Sequence, residues 1–251
     1  MVGHGKGNTT GFGTILNVVA PILANVFLHY VFDLWIDQWR KRHCKGKCIV
    51  VRYADDFVIG FESETDARAC LDALKQRLGK FGLKLHPEKT RLLEFGRSAS
   101  DRRKREGREP CETFEFLGFT HICGETRKNK RFALWRRTSR KRLSRTLAVI
   151  KAQLRRRRHD SVGQTGRWLA RVIRGWLGYH AVPDNFSRLD EFVTEVTKLW
   201  LHQLRRRSQK GRAAWPWDRM NRLVDRYLPQ PKILHPYPKD RFRARLAAGA
   251  V

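Results

Sequence analysis

Apolar and polar positions follow a helical and then a strand-like pattern in the first quarter of the chain. Over residues 20–40, apolar side chains recur at steps of three and four, which predicts a helix with Pro21 in its first turn. Two short apolar runs follow, at 49–51 and 57–61, with a polar segment between them. This arrangement predicts a β-hairpin whose tip carries acidic residues.

The next segment predicts a helix followed by short strands. Residues 64–81 have helical periodicity, with Thr65 as a suitable N-cap. Gly82 follows the last turn, as a C-terminal glycine commonly does. Beyond it, 83–85 and 90–95 are expected to form strands.

The remainder of the chain changes from strand-like to helical character. Residues 96–110 are predominantly polar and predict a loop, whereas 114–119 returns to the alternation typical of a strand. Beyond about Arg127 the chain is expected to be helical and basic. Helices are predicted over 138–156, 162–180, 186–206 and 215–228. The order favours the α+β class: an antiparallel sheet with helices, followed by an all-α region.

The charge of the chain indicates a polyanionic partner. Lys and Arg number 53 against 24 Asp and Glu, a formal net charge of +29. Residues 126–251 have 33 basic and 8 acidic side chains, whereas 1–125 has 20 and 16. Nucleic acid is the expected partner, and an anionic membrane surface is the weaker alternative.

Cysteine usage and the N-terminal pattern predict the compartment. The five cysteines are irregularly spaced, so a disulfide framework is not expected and a reducing compartment fits. The glycine-rich N-terminus lacks the order of a signal peptide, and no apolar run is expected to reach the roughly 20 residues of a membrane span. A cytoplasmic protein without membrane contact is therefore expected.

Asp55 and Asp56 are candidate catalytic residues because they are adjacent carboxylates between two apolar strands. Burying an unpaired carboxylate costs free energy, which a divalent cation would offset. Mg²⁺ binds few carboxylates, several waters and substrate phosphates, and two such ions can clamp the attacking and leaving oxygens of phosphodiester formation. The alternative is a plain turn, in which Asp is common.

The residues around this pair resemble those of a known polymerase family. Residues 51–59, VRYADDFVI, are similar to the active-site hairpin of group II intron reverse transcriptases. Three further motifs resemble that family in the same order: PILANVFLH at 21–29, GLKLHPEKT at 82–90 and FLGF at 116–119. From about Ala20 to about Arg245, the chain is identified as a member of this reverse transcriptase and maturase family. The resemblance implies that 20–125 is part of a polymerase palm.

The resemblance also implies a role for each residue at the hairpin tip. Asp55 and Asp56 would be the catalytic, metal-binding carboxylates of an RNA-directed DNA polymerase that uses two Mg²⁺ ions. Tyr53 and Ala54 would lie beside the primer end and the incoming nucleotide. Lys89 matches a lysine near the triphosphate, and the alternative is a solvated loop lysine.

The basic half combines arginine runs with aromatic residues. Cationic side chains contact phosphates, and aromatic rings either stack on unpaired bases or pack in the core of a helical bundle. The candidate RNA-binding residues, expected on helices, are Arg136, Arg137, Arg140, Lys141, Arg155, Arg156, Arg157, Arg158, Arg171 and Arg174. The interleaved aromatic residues are Trp135, Trp168, Trp176, Tyr179 and Trp200.

Two stretches of this half, GWLGYH at 175–180 and HPYP at 235–238, resemble the thumb and maturase region of the same family. The resemblance implies that 126–251 binds group II intron RNA. It also implies an RNA template and a DNA primer as partners, with action in intron splicing and mobility.

The N-terminal segment departs from the family pattern. Residues 1–19 show no resemblance, and 1–32 contains no Asp or Glu, although an early palm strand of the family supplies another metal-binding Asp. We therefore expect a truncated copy with an incomplete two-metal site, inactive as a polymerase unless a partner chain supplies the missing fingers. The alternatives are a non-catalytic RNA-binding maturase remnant and a gene fragment.

Overall fold

The computed structural model describes residues 12–126, 128–238 and 240, and the chain divides into two compact units between Leu93 and Glu94. Each unit has its own hydrophobic core. The domain boundary predicted at 125/126 follows family motifs, and this division of contacts does not coincide with it. Most of the segment 1–19, expected to be unmatched and flexible, lies outside the described residues.

The first unit begins with a long helical segment that a π-helical turn interrupts. The segment comprises helix α1, Phe12–Leu28, the π-helical turn His29–Asp33 and helix α2, Leu34–His43. The helix predicted over 20–40 is confirmed and extends at both ends, so Pro21 lies inside α1 rather than in its first turn. The π-helical turn buries Val31 and Phe32 in the core of this unit.

The helical segment Val19–His43, 25 residues long, is apolar enough to cross a membrane. This finding rests on length and composition only, and a core helix or a signal sequence passes the same test. The expectation that no apolar stretch is long enough is wrong by these two criteria. That expectation considered only uninterrupted apolar runs. Scattered polar residues such as Asn25 interrupt the run but leave the mean hydropathy of the segment high.

The predicted β-hairpin is confirmed. Strands β1, Cys48–Tyr53, and β2, Asp56–Phe61, pair antiparallel as a two-stranded sheet. Val50, Phe57 and Ile59 pack on the core of the first unit, whereas Ile49 and Val51 on the other face of β1 are exposed. This alternation is the period of two that the apolar runs displayed in the sequence.

Helix α3, Glu64–Gly79, follows the hairpin and closes the core with Cys70, Leu74 and Leu78. Its N-cap is Ser63 rather than the predicted Thr65, because the Ser63 side chain accepts a hydrogen bond from the Asp66 backbone N–H.

The strands predicted at 83–85 and 90–95 are wrong, since both segments lack regular structure. Leu83 and Leu85 instead pack one-sidedly against the core of the first unit. Their apolar alternation therefore reflects contact with that core rather than strand pairing.

The second unit opens with a helix that the sequence did not predict. Helix α4, Arg97–Arg105, occupies the segment 96–110, which was expected to be a loop. Glu94, which lies outside the helix, accepts hydrogen bonds from Arg102 and from Arg103, the latter at 2.8 Å. These bonds stabilise the position of α4. The helix has no apolar periodicity to reveal it, because its stability comes partly from these ion pairs.

A three-stranded antiparallel sheet follows, in the order β3-β4-β5. Its strands are β3, Phe114–Phe116, β4, Phe119–Glu125, and β5, Phe132–Thr138. The single strand predicted over 114–119 is wrong, because Leu117 and Gly118 both have positive φ, 51° and 78°, and form a tight turn. Strand β5 also contradicts the expectation of helix beyond Arg127.

The rest of the second unit is a helical bundle, as predicted. Its helices are α5, Arg140–Arg156, α6, Val162–His180, α7, Phe186–Arg205, α8, Gly211–Ala214, and α9, Trp217–Tyr227. Leu154, Ile173, Phe192 and Trp200 lie in its core. Ser161 and Gln164 form a reciprocal capping box that fixes the start of α6. Sheets and helices together confirm the α+β class.

Candidate active site and nucleic-acid interface

The tip of the β1–β2 hairpin is a two-residue turn that places both acidic side chains in solvent. Tyr53 and Asp56 form the last strand pair, so Ala54 and Asp55 make the turn. Ala54 has φ 55°, a strained conformation for a residue other than glycine. Asp55 and Asp56 are both exposed. The argument that a cation must offset the burial of this pair is therefore wrong, and exposure makes both carboxylates accessible to a ligand.

Arg52 connects this turn to the helical segment. Its Nε and Nη2 donate to the two carboxylate oxygens of Asp33 at 2.7 and 2.6 Å. Its Nη1 donates to Asn25 Oδ1 at 2.9 Å and to the Ala54 carbonyl at 2.8 Å. One guanidinium thus connects α1 and the π-helical turn to the strained residue Ala54. Residues 54–56 at the hairpin tip are called the acidic turn below. Sequence reasoning gave Arg52 no role, although it belongs to the hairpin motif at 51–59.

The Arg52–Asp33 pair also fixes the charge state of both groups. The hydrogen bond from Arg52 lowers the pKa of Asp33, against a smaller opposing effect of burial. The hydrogen bonds that Arg52 donates to Asp33 in turn raise the pKa of Arg52. Asp33 is the first acidic residue of the chain, but it is ionised and already paired. It is therefore not a free ligand for a metal ion.

Asp55 and Asp56 fit Mg²⁺ as part of a ligand set. Two accessible oxygen ligands, completed by water and substrate phosphates, match the preference of this ion. In the described residues, no group of three or more His, Cys, Asp and Glu side chains could hold a metal ion. Asp55 and Asp56 thus supply two carboxylates toward such a ligand set.

Lys89 lies in an exposed turn of the first unit. Its backbone N–H donates to the His86 carbonyl at 3.2 Å, and the Thr90 N–H donates to the same oxygen at 2.9 Å. The ammonium group is thus open to solvent on a backbone fixed by two hydrogen bonds. Both interpretations, a triphosphate contact and a solvated lysine, require this exposure, so the role of Lys89 stays a prediction.

The candidate RNA-binding residues occupy several elements of the second unit. Arg136 and Arg137 lie on strand β5, so the prediction that they lie on a helix is wrong. Arg140 and Lys141 are exposed in the first turn of α5, Arg155 and Arg156 are exposed in its last turn, and Arg157 and Arg158 follow it. Arg171 and Arg174 are exposed on α6.

Three of the candidates come together. Arg157, Arg171 and Arg174 line one cavity of about 640 Å³, where Arg167 of α6 and Arg226 of α9 join them. Sequence reasoning missed Arg167 and Arg226. The four-residue step from Arg167 to Arg171 could have revealed the first, because such residues share a helix face. Arg226 is distant in sequence and became visible only in the fold.

The interleaved aromatic residues divide between core and surface. Trp176 and Trp200 are 8% and 0% exposed, which confirms core packing for these two. The Trp176 ring stacks on Phe192 with centroids 3.9 Å apart. Trp135 and Trp168 are half-buried, each beneath a guanidinium: Arg137 at 4.8 Å and Arg157 at 5.0 Å from the ring centroid. These two rings keep accessible surface.

The first unit thus has an acidic hairpin tip, and the second unit has a strongly basic helical bundle. Two family models match the chain: "Reverse transcriptase (RNA-dependent DNA polymerase)" over residues 13–121 and "Group II intron, maturase-specific domain" over 143–221. No match is found among curated proteins. The chain belongs to the group II intron reverse transcriptase/maturase family, whose function is RNA-directed DNA synthesis and intron splicing.

The two matches include the acidic hairpin tip and six of the ten candidate RNA-binding residues. The reverse transcriptase match contains the acidic turn and Arg52, and it begins seven residues before the predicted start at residue 20. The maturase match contains α6, α7 and α8, and it ends at residue 221 within α9, before Arg226 and Tyr227. Reverse transcriptases use Mg²⁺, and the matched domains imply intron RNA and nucleic-acid substrates as partners.

Proposed function

We propose that this chain binds group II intron RNA through its second unit and assists splicing of that RNA. The convergence of five arginines on one cavity, within the region between α5 and α9, is the observation that carries this proposal. Residues 94–251 have 39 Lys and Arg against 15 Asp and Glu. Phosphate contacts by these cations neutralise backbone charge and release counterions, which favours compact RNA.

At the acidic turn, Asp55 and Asp56 would hold Mg²⁺ together with water and nucleotide phosphates. The bound ion would supply electrostatic stabilisation of the attacking and leaving oxygens in phosphodiester formation. Tyr53 and Ala54, next to the carboxylates, would contact the primer end or the incoming nucleotide. Arg52 acts as a positioning residue, because it holds the Ala54 carbonyl and thereby the direction of the turn.

We further propose that DNA synthesis needs a carboxylate from outside residues 1–251, supplied by another segment or by a partner chain. Residues 1–32 contain no Asp or Glu, and Asp33 is committed to Arg52. Primer extension on an RNA template with Mg²⁺ tests this point, with Asp55→Asn as the control. No extension by either protein is expected, whereas extension by the wild-type chain that Asp55→Asn abolishes would contradict it.

The maturase proposal is tested by splicing kinetics. A group II intron transcript is incubated at a Mg²⁺ concentration where the RNA alone splices slowly, with and without the chain. We expect the chain to raise the splicing rate of the intron transcript. An unchanged rate, with RNA binding intact, would overturn the maturase role.

The compartment we propose is the cytoplasm, where the transcript is accessible. All five cysteines are free, which is compatible with a reducing environment. Fractionation of cells that express the tagged chain would test this, since recovery with membranes would contradict it.

A further inference from the structure

A basic cavity lies in the second unit, where the end of α5 meets α6 and α9. It is open to solvent and has a volume of about 640 Å³. The lining combines arginines with the side chains of Trp168 and Tyr227. Arginine and aromatic surface together suit a ligand with both a phosphate and a planar base.

The pattern of α6 produces the cationic wall. Arg167, Arg171 and Arg174 follow steps of four and three and therefore lie on one face of the helix. Leu169 and Ile173, on the opposite face, are fully buried in the bundle core. The three guanidinium groups consequently face solvent because the apolar face of the helix is anchored.

A close helix contact produces the aromatic part of the cavity. Tyr227 of α9 lies directly against Gly166 of α6, where a Cβ would be 2.6 Å from Tyr227 Cγ. Glycine at this position is therefore required for the ring to approach α6. The guanidinium of Arg226 lies 5.4 Å from the centre of the Tyr227 ring, on the cavity side of the same helix.

The cavity is left with an excess of positive charge. Its one carboxylate, Asp160, pairs with Arg157 at 3.3 Å. Arg167, Arg171 and Arg174 form no ion pair within the described part of the chain. Like charges at these helical spacings repel each other, and a bound polyanion would relieve that repulsion.

We propose that this cavity binds one unpaired nucleotide of an RNA chain. The phosphates on either side of the nucleotide would lie on Arg167, Arg171 and Arg174. The base would stack on Tyr227 or on the guanidinium of Arg157, which lies 5.0 Å from the centre of the Trp168 ring. A regular duplex presents phosphates but keeps its bases stacked inside, so it would leave the aromatic surface unused. The inference rests on the proposed RNA-binding function and adds to it a discrete site for a bulged or looped nucleotide.

The test compares two variants of the full chain with equal loss of charge. Arg167→Gln/Arg171→Gln/Arg174→Gln removes the cavity wall, and Arg145→Gln/Lys151→Gln/Arg222→Gln removes three exposed cations outside the cavity. Affinity for the group II intron RNA is measured by filter binding over a salt series. We expect the cavity variant to lose at least about tenfold more affinity than the control variant. Its salt slope should fall by about 1.4, the value for two single-strand phosphate contacts. Equal losses in the two variants would overturn the inference while leaving RNA binding intact.

A second experiment, photocrosslinking, tests the same site without depending on recognition of the intron RNA. A single-stranded oligonucleotide containing 4-thiouridine is irradiated with the wild-type chain, and crosslinked peptides are mapped by mass spectrometry. Crosslinks at Trp168 or Tyr227 support the site even if the chain fails to prefer intron RNA, which would count only against the proposed function. Crosslinks confined to other regions would overturn the inference. Competition by uridine monophosphate at concentrations similar to those of the oligonucleotide would also overturn it, since the cavity would then serve a free nucleotide.

Discussion

The guanidinium of Arg52 shows how a strained acidic turn is held in one conformation. A residue other than glycine with positive φ costs about 1–3 kcal/mol, so Ala54 requires support from its surroundings. Arg52 supplies this support by donating to the Ala54 carbonyl while its other nitrogens bind Asp33 and Asn25. This arrangement also fixes the backbone direction of the neighbouring residues Asp55 and Asp56.

Substitution of Arg52 by Ala should destabilise the first unit. The Arg52 side chain is 15% exposed, and its removal leaves the partly buried carboxylate of Asp33 with only the more distant His29, whose Nδ1 is 3.4 Å away. We expect a loss of about 1–3 kcal/mol in the free energy of unfolding, measured by urea denaturation. The control is Arg68→Ala, whose pair with Glu64 is about two-thirds exposed on both sides and should contribute only about 0.3–0.5 kcal/mol. Equal effects of the two substitutions would contradict the role of Arg52.

The same pair predicts a pH dependence of stability. The pKa of Asp33 is below its ordinary value of 3.8 in the folded chain. Its contribution is therefore complete above the ordinary value and is lost as the pH falls through the lower, folded pKa. Asp33→Asn should unfold more easily at neutral pH and lose less stability between pH 5 and pH 2 than the wild type.

Chemical denaturation across that pH range tests this, with Asp72→Asn as the control. Asp72 is 72% exposed and pairs with Lys75 at 3.4 Å, so its removal should leave the acid sensitivity near that of the wild type. An Asp33→Asn profile parallel to the wild-type profile would show that the pair does not contribute in this way.

Among the elements, the contact between α6 and α9 depends on a single glycine. Gly166→Ala would place a Cβ 2.6 Å from the Tyr227 ring, so the ring or the helix must move. Overpacking of this kind costs about 1–3 kcal/mol, which outweighs a gain in helix propensity of about 0.5–1 kcal/mol. Thermal denaturation should show a lower Tm.

Gly175→Ala is the matched control on the same helix. Nothing lies within 4 Å of a Cβ at Gly175, so this substitution should raise stability by about 0.5–1 kcal/mol. Opposite signs at the two glycines are expected. A stabilising effect at both would mean that Tyr227 yields freely and that the α6–α9 contact is loose.

The elements that sequence patterns predicted are those whose stability is encoded locally. Helix α6 was predicted with its observed bounds, because a capping box starts it and a strong apolar face runs along it. Helix α4 was missed, since its partner Glu94 lies outside the helix. Strand β5 was missed because it pairs with β4, at positions such as Ile122 and Trp135, and pairing between strands leaves only a weak trace in a basic sequence.

The residues of the candidate sites were predictable from the sequence only where they lie close together along the chain. A motif read along the chain located Asp55, Asp56 and Tyr53, because all three belong to one hairpin. The role of Arg52 depends on Asp33, 19 residues earlier, and on Asn25. The cavity likewise joins Arg226 to α6 across the fold. Long-range partners such as these become visible only when the tertiary structure is known.

Across the whole molecule, the charge differs between the two units, in keeping with a separate role for each. Residues 1–93 have 14 basic and 9 acidic side chains, whereas residues 94–251 have 39 and 15. The acidic turn and its two carboxylates belong to the first unit, and the arginine-lined cavity belongs to the second. RNA binding should accordingly survive substitutions at Asp55 and Asp56.

Salt-dependent binding of the full chain to a group II intron RNA, compared with an unrelated structured RNA of equal length, tests the central claim most directly. Non-specific phosphate contacts weaken steeply with salt for both RNAs, whereas contacts to RNA shape and unpaired bases persist. We predict that preference for the intron RNA increases as salt rises from about 50 to 200 mM, a range over which non-specific affinity falls by orders of magnitude. Equal affinities that collapse together would contradict the maturase account and leave only a basic surface.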